Sequence, residues 1–338
     1  MSHTQPIDPS YVSRSPVRKK RRNWIVRIIG LIVLLFLLVL IAVPLYAWGR
    51  INKVDAFPGT GRPTDTPGTT YLLVGSDSRA GLSTADKKRL GTGSALGQRT
   101  DTIMVMHVPS SGPTALISLP RDSFVPIPGH NSNKINAAFT FGGPKLLTQT
   151  VENVTGLHID HYVEIGFGGF ASIIDSVGGV QMCLPKAMKD AKAHINLPKG
   201  CQQLDGTKAL GYVRARYSDP LGDLGRVQRQ REMIGAVAKK AISPATFLNP
   251  FRYYGLGTSG ADALTVDKGM SPLDLWRFAR GMQSVAGGGS GITLTVPVSS
   301  TNLQTSAGVA VKWNTPKAKA LFAALKADKT TGLKNAGA

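Results

Sequence analysis

Arginines are concentrated in one short segment of this sequence. Residues 212–231 contain five arginines and two aspartates. If the first part of the segment is extended, Arg214 and Arg216 point to one side of the chain, while Val213 and Ala215 face the other. This alternation predicts a strand that presents two guanidinium groups together.

Behind a run of proline and glycine, the same segment has the spacing of a helix. A helix there would place Arg226, Arg229 and Gln230 on one face. Strand and helix would then aim guanidinium and amide donors at one place, and guanidinium groups bind phosphate through two parallel hydrogen bonds. The pattern favours an oxyanion site, and the alternative is a solvated surface cluster.

Three further segments each supply an arginine and an aspartate beside a predicted strand end. They are residues 75–79, 99–102 and 119–123. Ligand-binding loops of α/β sheets lie at such ends, although a single aspartate there is more often a turn former or a helix cap. Three such pairs, together with the arginine cluster, indicate a binding site.

These residue types suit a pyrophosphate bound with Mg²⁺. The ion takes one or two carboxylates as ligands, with water and phosphate oxygens completing its shell, and cations neutralise the charge on the phosphoryl oxygens. The sequence contains no Walker motif, no kinase motif set and no Gly-x-Ser-x-Gly elbow. A nucleotide kinase or a serine hydrolase is therefore not supported.

The elements that must position these groups alternate between strands and helices, which predicts one α/β domain. Period-two and short apolar runs predict strands at 71–75, 102–108, 114–119, 161–165, 179–184 and 292–298. Helical periodicity and capping residues predict helices at 144–154, 167–177, 226–241, 271–285 and 316–326.

An apolar segment near the N-terminus predicts a membrane anchor. Residues 28–47 are twenty residues without a charge, which as a helix would span about 30 Å, the hydrocarbon thickness of a bilayer. A basic cluster precedes the segment, and this bias predicts a cytoplasmic N-terminus with the rest of the chain outside. A cleaved signal peptide is the alternative, but its apolar core would be about half as long.

Charge and cysteine content agree with an outer location. The formal net charge is +20, which predicts attraction to polyanions such as nucleic acid, anionic lipid or anionic polysaccharide. The two cysteines, Cys183 and Cys201, are expected to form a disulfide in an oxidising compartment. Two unrelated buried thiols are the alternative.

The ordered motifs resemble those of the LytR-CpsA-Psr family of bacterial cell-wall glycopolymer ligases, in its actinobacterial form. The resemblance spans about residues 70–240. It rests on residues 73–79 (LVGSDSR), 99–103 (RTDTI), 118–123 (SLPRDS), 134–139 (KINAAF) with Gly142 and Gly143, 161–165 (HYVEI), 174–179 (IDSVGG), 204–206 (LDG) with Ala209 and Leu210, and 212–231.

The resemblance implies an α/β/α sandwich with a mixed central sheet and a hydrophobic tunnel for a polyprenyl chain, whose pyrophosphate lies at an arginine-lined mouth. It implies that Asp77 and Asp101 bind Mg²⁺ (or Mn²⁺). The implied pyrophosphate ligands are Arg99, Arg121, Arg214, Arg216, Arg226 and Gln230. Arg99 and Arg121 are also implied to be catalytic, together with Asp122 and Asp223, which would orient the arginines or the metal site.

The expected organisation has five parts: a basic cytoplasmic tail (1–23), a transmembrane helix (24–48), a linker (49–69), an extracytoplasmic catalytic domain (70–327) and a loose tail (328–338). The resemblance implies a membrane-anchored phosphotransferase that moves a phosphoglycan from a polyprenyl-pyrophosphate carrier to peptidoglycan. The alternatives are hydrolysis of the same pyrophosphate by water, or a membrane-bound transcriptional regulator. The sequence lacks a helix-turn-helix or RNA-binding aromatic motif, so the expected partners are donor, peptidoglycan and membrane lipid, with no nucleic acid.

Overall fold

A computed structural model describes residues 19–77, 84–90, 100–215, 222–285 and 290–333. The chain divides into two compact units, Met1–Ala42 and Val43–Ala338. In the first unit, residues 19–42 are helical, and most of the side chains described there are exposed and apolar. The helix over Trp24–Arg50 is long and apolar enough to cross a membrane, in agreement with the predicted anchor.

Helices and strands alternate along the described chain. The helices are α1 (Lys19–Arg50), α2 (Thr84–Arg89), α3 (Ile135–Thr155), α4 (Phe167–Ser176), α5 (Gly206–Arg214), α6 (Gly222–Ala241), α7 (Pro244–Phe247), α8 (Pro250–Ala263), α9 (Pro272–Ser284) and α10 (Thr315–Lys326). The strands are β1 (Asn52–Val54), β2 (Thr69–Ser76), β3 (Thr100–Val108), β4 (Ala115–Leu119), β5 (Phe124–Val125), β6 (Asn133–Lys134), β7 (His161–Gly166), β8 (Val180–Leu184), β9 (Met188–Asp190), β10 (Ile195–Leu197), β11 (Gly200–Leu204), β12 (Leu264–Asp267), β13 (Ile292–Thr295), β14 (Val298–Thr305) and β15 (Gly308–Trp313).

The centre of the second unit is a seven-stranded sheet in the order β1-β12-β7-β2-β3-β4-β13. Strand β2 pairs parallel with β7 and antiparallel with β3, and β3 pairs antiparallel with β4. The sheet is therefore mixed, as predicted. The C-terminal ends of β2, β4 and β7 meet the N-terminal end of β3 at one edge.

Alternate residues of the central strands enter two different cores, as the two-residue period of a strand requires. Leu72, Val105 and Ile117 pack with α3 and α10 on one face of the sheet. Leu73 and Met106 belong to the core on the other face, which includes residues of α6 and α9. Helices thus cover both faces, and the predicted α/β/α sandwich is confirmed.

A third apolar cluster joins α4, α5 and strands β8 to β11. Within it β8 and β11 form an antiparallel pair in which Cys183 is directly opposite Cys201. The two cysteines form a disulfide, so the predicted pairing is confirmed.

Local sequence signals explain where the helices begin and break. Ser271 and Asp274 form a capping box at the start of α9, which satisfies backbone N–H groups that have no partner within the helix. Helix α3 is interrupted at Gly142 and Gly143. Gly143 has a φ of +63°, a conformation that side chains with a Cβ rarely adopt.

Three boundaries differ from the sequence-based expectation. The predicted strand 292–298 ends at Thr295, and Val298 begins the separate β14–β15 hairpin. Residues 52–54, expected within a linker, pair with β12 as the edge strand of the sheet. Thr330, expected in a loose tail, is buried.

Candidate functional site at the sheet edge

Two of the predicted acidic residues lie at the edge where β2 ends and β3 begins. Asp77 directly follows β2, and Asp101 is the second residue of β3. Gly75 pairs with Thr102 and Ser76 with Thr100, so the register shifts at Asp101. Gly75 allows the close approach, since a Cβ there would lie 2.9 Å from the Thr102 Cβ. The sheet thus brings both predicted metal ligands to one edge.

Arg121 connects the acidic residues of this edge. It follows β4, and its Nη1 donates to the carboxylate of Asp101. Its Nε lies 3.4 Å from Oδ2 of Asp122, whose Oδ1 lies 3.1 Å from Nζ of Lys134. All four side chains are partly buried. The predicted Arg121, Asp122 and Asp101 therefore form one charge cluster.

The loop that carries Arg121 and Asp122 is fixed by neighbouring elements. The Oγ of Ser123 donates to the carbonyl of Pro120 over 2.6 Å and accepts the indole N–H of Trp313 over 2.8 Å. The backbone N–H of Val311 donates to the carbonyl of Asp122 over 2.8 Å. Because backbone and side chain are both held, Arg121 and Asp122 have a defined position.

Arg214 reaches the same region from a helix instead of a strand. The predicted extended segment is wrong: residues 206–214 form α5, and both Val213 and Ala215 are buried. The helix begins at Asp205, whose side chain accepts from the N–H of Lys208 over 2.8 Å. This N-cap followed by a buried face favours a helix over a strand.

The guanidinium of Arg214 lies against an aromatic ring at the sheet edge. Its Cζ is 5.0 Å from the ring centroid of Phe167, the first residue of α4. Its Nη1 lies 3.4 Å from the carbonyl oxygen of Leu90. A guanidinium over an aromatic face keeps its charge while its edge can still donate.

Arg229 and Gln230 have different roles on α6. Arg229 is buried and donates from Nε and Nη2 to the carbonyls of Tyr212 and Ala215, over 3.3 and 2.6 Å. It therefore stabilises the C-terminal end of α5, and the expectation that it faces the oxyanion site is wrong. Gln230 is also buried but lines the cavity described next.

An apolar cavity of about 730 Å³ lies below this edge of the sheet, a volume typical of ligand sites. Its walls come from the central strands, from α4, α6, α8 and α9, and from residues 43–51. Burial raises the pKa of Tyr253 in one wall. Asp101, Arg214 and Gln230 also line the cavity. The charged groups of the sheet edge thus adjoin an apolar cavity.

The remaining predicted site residues lie outside what the structure describes. Arg99 and Arg216 are outside the described ranges. Asp223 and Arg226 belong to the first turns of α6, but their side chains are outside the described part.

The donor atoms at the sheet edge fit a hard divalent cation. The buried hydroxyls of Ser76 and Thr100 have no hydrogen-bond partner among the described residues. They are adjacent in sequence to Asp77 and Asp101. Carboxylate and hydroxyl oxygens are ligands that Mg²⁺ accepts, so this edge could hold the ion.

Two side chains of the site were not assigned a role from the sequence. Phe167 supports Arg214, and Lys134 pairs with Asp122. Phe167 lies directly after the predicted strand 161–165, so its place at the sheet edge could have been inferred. Lys134 reaches Asp122 through the β5–β6 pairing, for which two-residue strands give no periodic signal.

Fold and site together define a class: an α/β protein with an apolar cavity beside a cluster of charged side chains. Comparison with known proteins is consistent with this class. The chain matches the model of the LytR_cpsA_psr family over residues 47–326 and belongs to that family.

Individual relatives support the assignment. The chain is 47% identical to the probable cell wall biosynthesis protein LcpB of Corynebacterium glutamicum, over 93% of this chain and 74% of the relative. It is 32% identical to the polyisoprenyl-teichoic acid–peptidoglycan teichoic acid transferase TagU of Bacillus cereus, over 67% of this chain and 73% of that protein. The solved structure of the LytR-Csp2A-Psr enzyme from Actinomyces oris matches with a TM-score of 0.62 and 25% identity, over 82% of this chain and 96% of that one.

Proposed function

We propose that this protein is a membrane-anchored transferase of cell-wall assembly, which moves a glycopolymer from a polyprenyl-pyrophosphate carrier to peptidoglycan. One observation carries the proposal: an apolar cavity of about 730 Å³ adjoins a cluster of arginine, aspartate and glutamine side chains. The chain therefore offers one compartment for an isoprenoid and another for its phosphates. The TagU relative is named as a polyisoprenyl-teichoic acid–peptidoglycan teichoic acid transferase, which is an activity of the same kind.

The reaction is a phosphotransfer. An oxygen of an acceptor sugar hydroxyl attacks the phosphorus that bears the glycan, a new P–O bond forms, and the bond to the bridging oxygen breaks. Polyprenyl phosphate leaves with the electron pair of that bond, and the hydroxyl loses its proton. Charge accumulates on the phosphoryl oxygens, so preorganised donors beside them lower the barrier.

The described residues can supply those donors. Arg121 and Arg214 have guanidinium groups at the sheet edge, and Gln230 adds an amide at the cavity wall. Asp122, held by Arg121 and Lys134, positions the Arg121 guanidinium. Arg99, Arg216, Arg226 and Asp223 remain proposed members of the same site.

Asp77 and Asp101 would hold Mg²⁺ (or Mn²⁺) at this edge. When bound, the ion would neutralise charge on the pyrophosphate oxygens. The arginine that binds Asp101 would keep this carboxylate oriented towards the ion.

The proposed orientation places the N-terminus in the cytoplasm and residues 49–338 outside. The basic residues before the span support it, and so does the disulfide Cys183–Cys201. In this orientation the wall polymers, and not nucleic acid, are the polyanions that meet the basic domain.

The test is transfer by the purified full chain in detergent. The donor is a polyprenyl-pyrophosphate-linked glycan, the acceptor is a peptidoglycan oligomer, and mass spectrometry follows the acceptor. Each of Arg121→Ala and Arg214→Ala should lower the rate by roughly tenfold to a hundredfold, because a charge-assisted hydrogen bond contributes about 1.5–3 kcal/mol. Arg→Lys should restore little, since an ammonium cannot reproduce a planar two-donor fork.

Arg277→Ala is the matched control, because Arg277 is exposed on α9 and pairs with Asp274. Its rate should equal that of the wild type. Wild-type rates for both Arg121→Ala and Arg214→Ala would show that the cluster is a solvated surface. Release of glycan phosphate without modification of the acceptor would identify a hydrolase instead.

A further inference from the structure

Three apolar side chains are exposed together where α7 is followed by α8. Leu248, Phe251 and Tyr254 are 71%, 87% and 53% exposed, and we call them the apolar tip. Large apolar side chains exposed at three positions within seven residues point to a surface that contacts a partner or a membrane. Phe251 is the most exposed of the three.

Helix α8 lies alongside residues 43–50, the last two turns of α1. A Cβ at Gly257 would lie only 2.6 Å from Cγ1 of Val43, so the helices touch there. Further along both helices, Arg50 forms a bidentate pair with Asp262, with Nη2 2.8 Å from Oδ1 and 3.0 Å from Oδ2. Because both contacts advance in the same chain direction, the two helices run parallel.

The contacts of Gly257 with Val43 and of Asp262 with Arg50 determine where the apolar tip lies along the axis of residues 43–50. Phe251 precedes Gly257 by six residues, which is about 9 Å along a helix. The tip therefore lies beyond Val43 when residues 43–50 are followed from Arg50 back to Val43, and these residues are the last part of the candidate membrane span. The span ends at Arg50, so a side chain about 9 Å before the level of Val43 is at the depth of hydrocarbon.

Polar and basic groups are arranged as a membrane interface requires. Tyr46 accepts a hydrogen bond from Arg50 Nη1 over 3.0 Å, and Lys53 lies over the ring of Trp48 at 4.6 Å. Aromatic and basic side chains of this kind are enriched at the headgroup level.

We propose that the apolar tip inserts into the bilayer beside residues 43–50, so that the domain contacts the membrane at two points. The partner is the lipid of the leaflet in which α1 ends. A second protein as partner would have to lie inside the membrane to cover residues at this depth.

The apolar tip also adjoins the cavity. Phe247 and Tyr253, its immediate neighbours, line the cavity together with Val43. An isoprenoid chain could pass from the bilayer into the cavity along these residues without contacting water. This consequence rests on the proposed function, whereas insertion of the tip does not.

Fluorescence quenching of the full chain in lipid nanodiscs tests the insertion. An environment-sensitive label is placed on Leu248→Cys and on Phe251→Cys, since the native cysteines are in a disulfide. Val309→Cys is the matched control: Val309 is 48% exposed but belongs to the β14–β15 hairpin, which packs near β5 and not near α8.

The labels at 248 and 251 should be quenched at least several-fold more by acyl-chain spin-labelled lipid than the label at 309. They should be protected from aqueous iodide. Equal iodide quenching at all three positions would overturn the proposal. So would protection from both quenchers, which would indicate cover by a second protein copy.

The paired substitution Leu248→Ser with Phe251→Ser separates insertion from catalysis. Both side chains are exposed, so the melting temperature should not change. Transfer from a long-chain donor in nanodiscs should fall several-fold, while transfer from a short-chain donor in detergent stays at the wild-type rate. An equal loss of transfer rate with both donors would refute a role of the tip in lipid entry. A wild-type chain that is inactive with both donors would refute the proposed function, and the quenching result would still stand.

Discussion

At the scale of single residues, the sheet edge brings opposite charges into direct contact. Arg121 contacts both Asp101 and Asp122. Arg214 rests on the Phe167 ring. The carboxylates of Asp101 and Asp122 orient Arg121, and under the proposed function Asp101 would also hold the metal.

Removal of a carboxylate and removal of a guanidinium should therefore differ in how the transfer rate responds to Mg²⁺. Asp77→Ala or Asp101→Ala should lower transfer, and excess Mg²⁺ should restore part of it, because a weakened metal site refills at higher ion concentration. The loss in Arg121→Ala or Arg214→Ala, about tenfold or more, should not respond to Mg²⁺. Transfer rates across a Mg²⁺ titration measure this, and identical titration curves for both classes of variant would contradict it.

His161 makes stability depend on pH. Burial alone would lower its pKa, but the Asp267 carboxylate 3.3 Å from Nδ1 and the nearby Asp274 outweigh burial and raise it. A raised pKa in the folded state means that the imidazolium stabilises the fold below its unfolded value of 6.5, and that this contribution is lost as pH rises through the folded-state pKa.

Denaturant unfolding of the full chain in micelles, at several pH values from 6 to 9, should show this loss. The His161→Gln variant should lack it. Parallel pH profiles for the two proteins would contradict the role of His161.

At the scale of elements, five strands of the central sheet (β2, β3, β4, β7 and β13) were predictable, whereas β1, β12 and α5 were not. Strands β2, β3 and β4 have the apolar runs that are typical of buried strands. The predicted ends of these strands located Asp77, Asp101, Arg121 and Asp122 at the sheet edge. Within residues 212–216, apolar or small side chains alternate with arginines. This two-residue period favours a strand locally. Tertiary contacts decide otherwise, because Arg229, distant in sequence, binds the carbonyls at the end of α5.

Helix α8, which forms part of the cavity wall, was also not predicted from the sequence. Helix α8 contains three glycines in fourteen residues, a composition that lowers helix propensity. Its helical state depends on packing against α4 and residues 43–50, where Gly169 and Gly257 permit close contact. Periodicity in a single segment does not contain this information.

The disulfide is expected to stabilise the β8–β11 pair. For the 18-residue separation of Cys183 and Cys201, the loop-entropy estimate is about 3 kcal/mol. The Cys183→Ser, Cys201→Ser variant should therefore unfold at lower denaturant concentration by this amount of free energy. Thiol labelling of the unfolded, unreduced wild type should find no free cysteine, and two labelled thiols would contradict the pairing.

At the scale of the whole molecule, the last residues of the candidate span are also part of the cavity wall. Val43, Pro44, Ala47 and Trp48 belong to the candidate span and line the cavity. Under the proposed function, an isoprenoid would reach the cavity along these residues without passing through water.

The orientation can be measured with a reporter fused after Ala338. A reporter that is active only outside the cytoplasm should be active, and one that requires the cytoplasm should be silent, because the basic residues before the span remain inside. The opposite pattern would place the domain in the cytoplasm and revive the regulatory alternative.

Native mass spectrometry of the full chain, released from membranes in mild detergent, tests most directly whether the cavity and the sheet edge bind a polyprenyl phosphate. We expect a bound species with the mass of a polyprenyl phosphate or pyrophosphate. Its occupancy should fall in Arg121→Ala and Arg214→Ala and stay unchanged in Arg277→Ala. A wild-type chain that retains no phosphate-bearing isoprenoid, or variants that retain as much as the wild type, would contradict the assignment of this site.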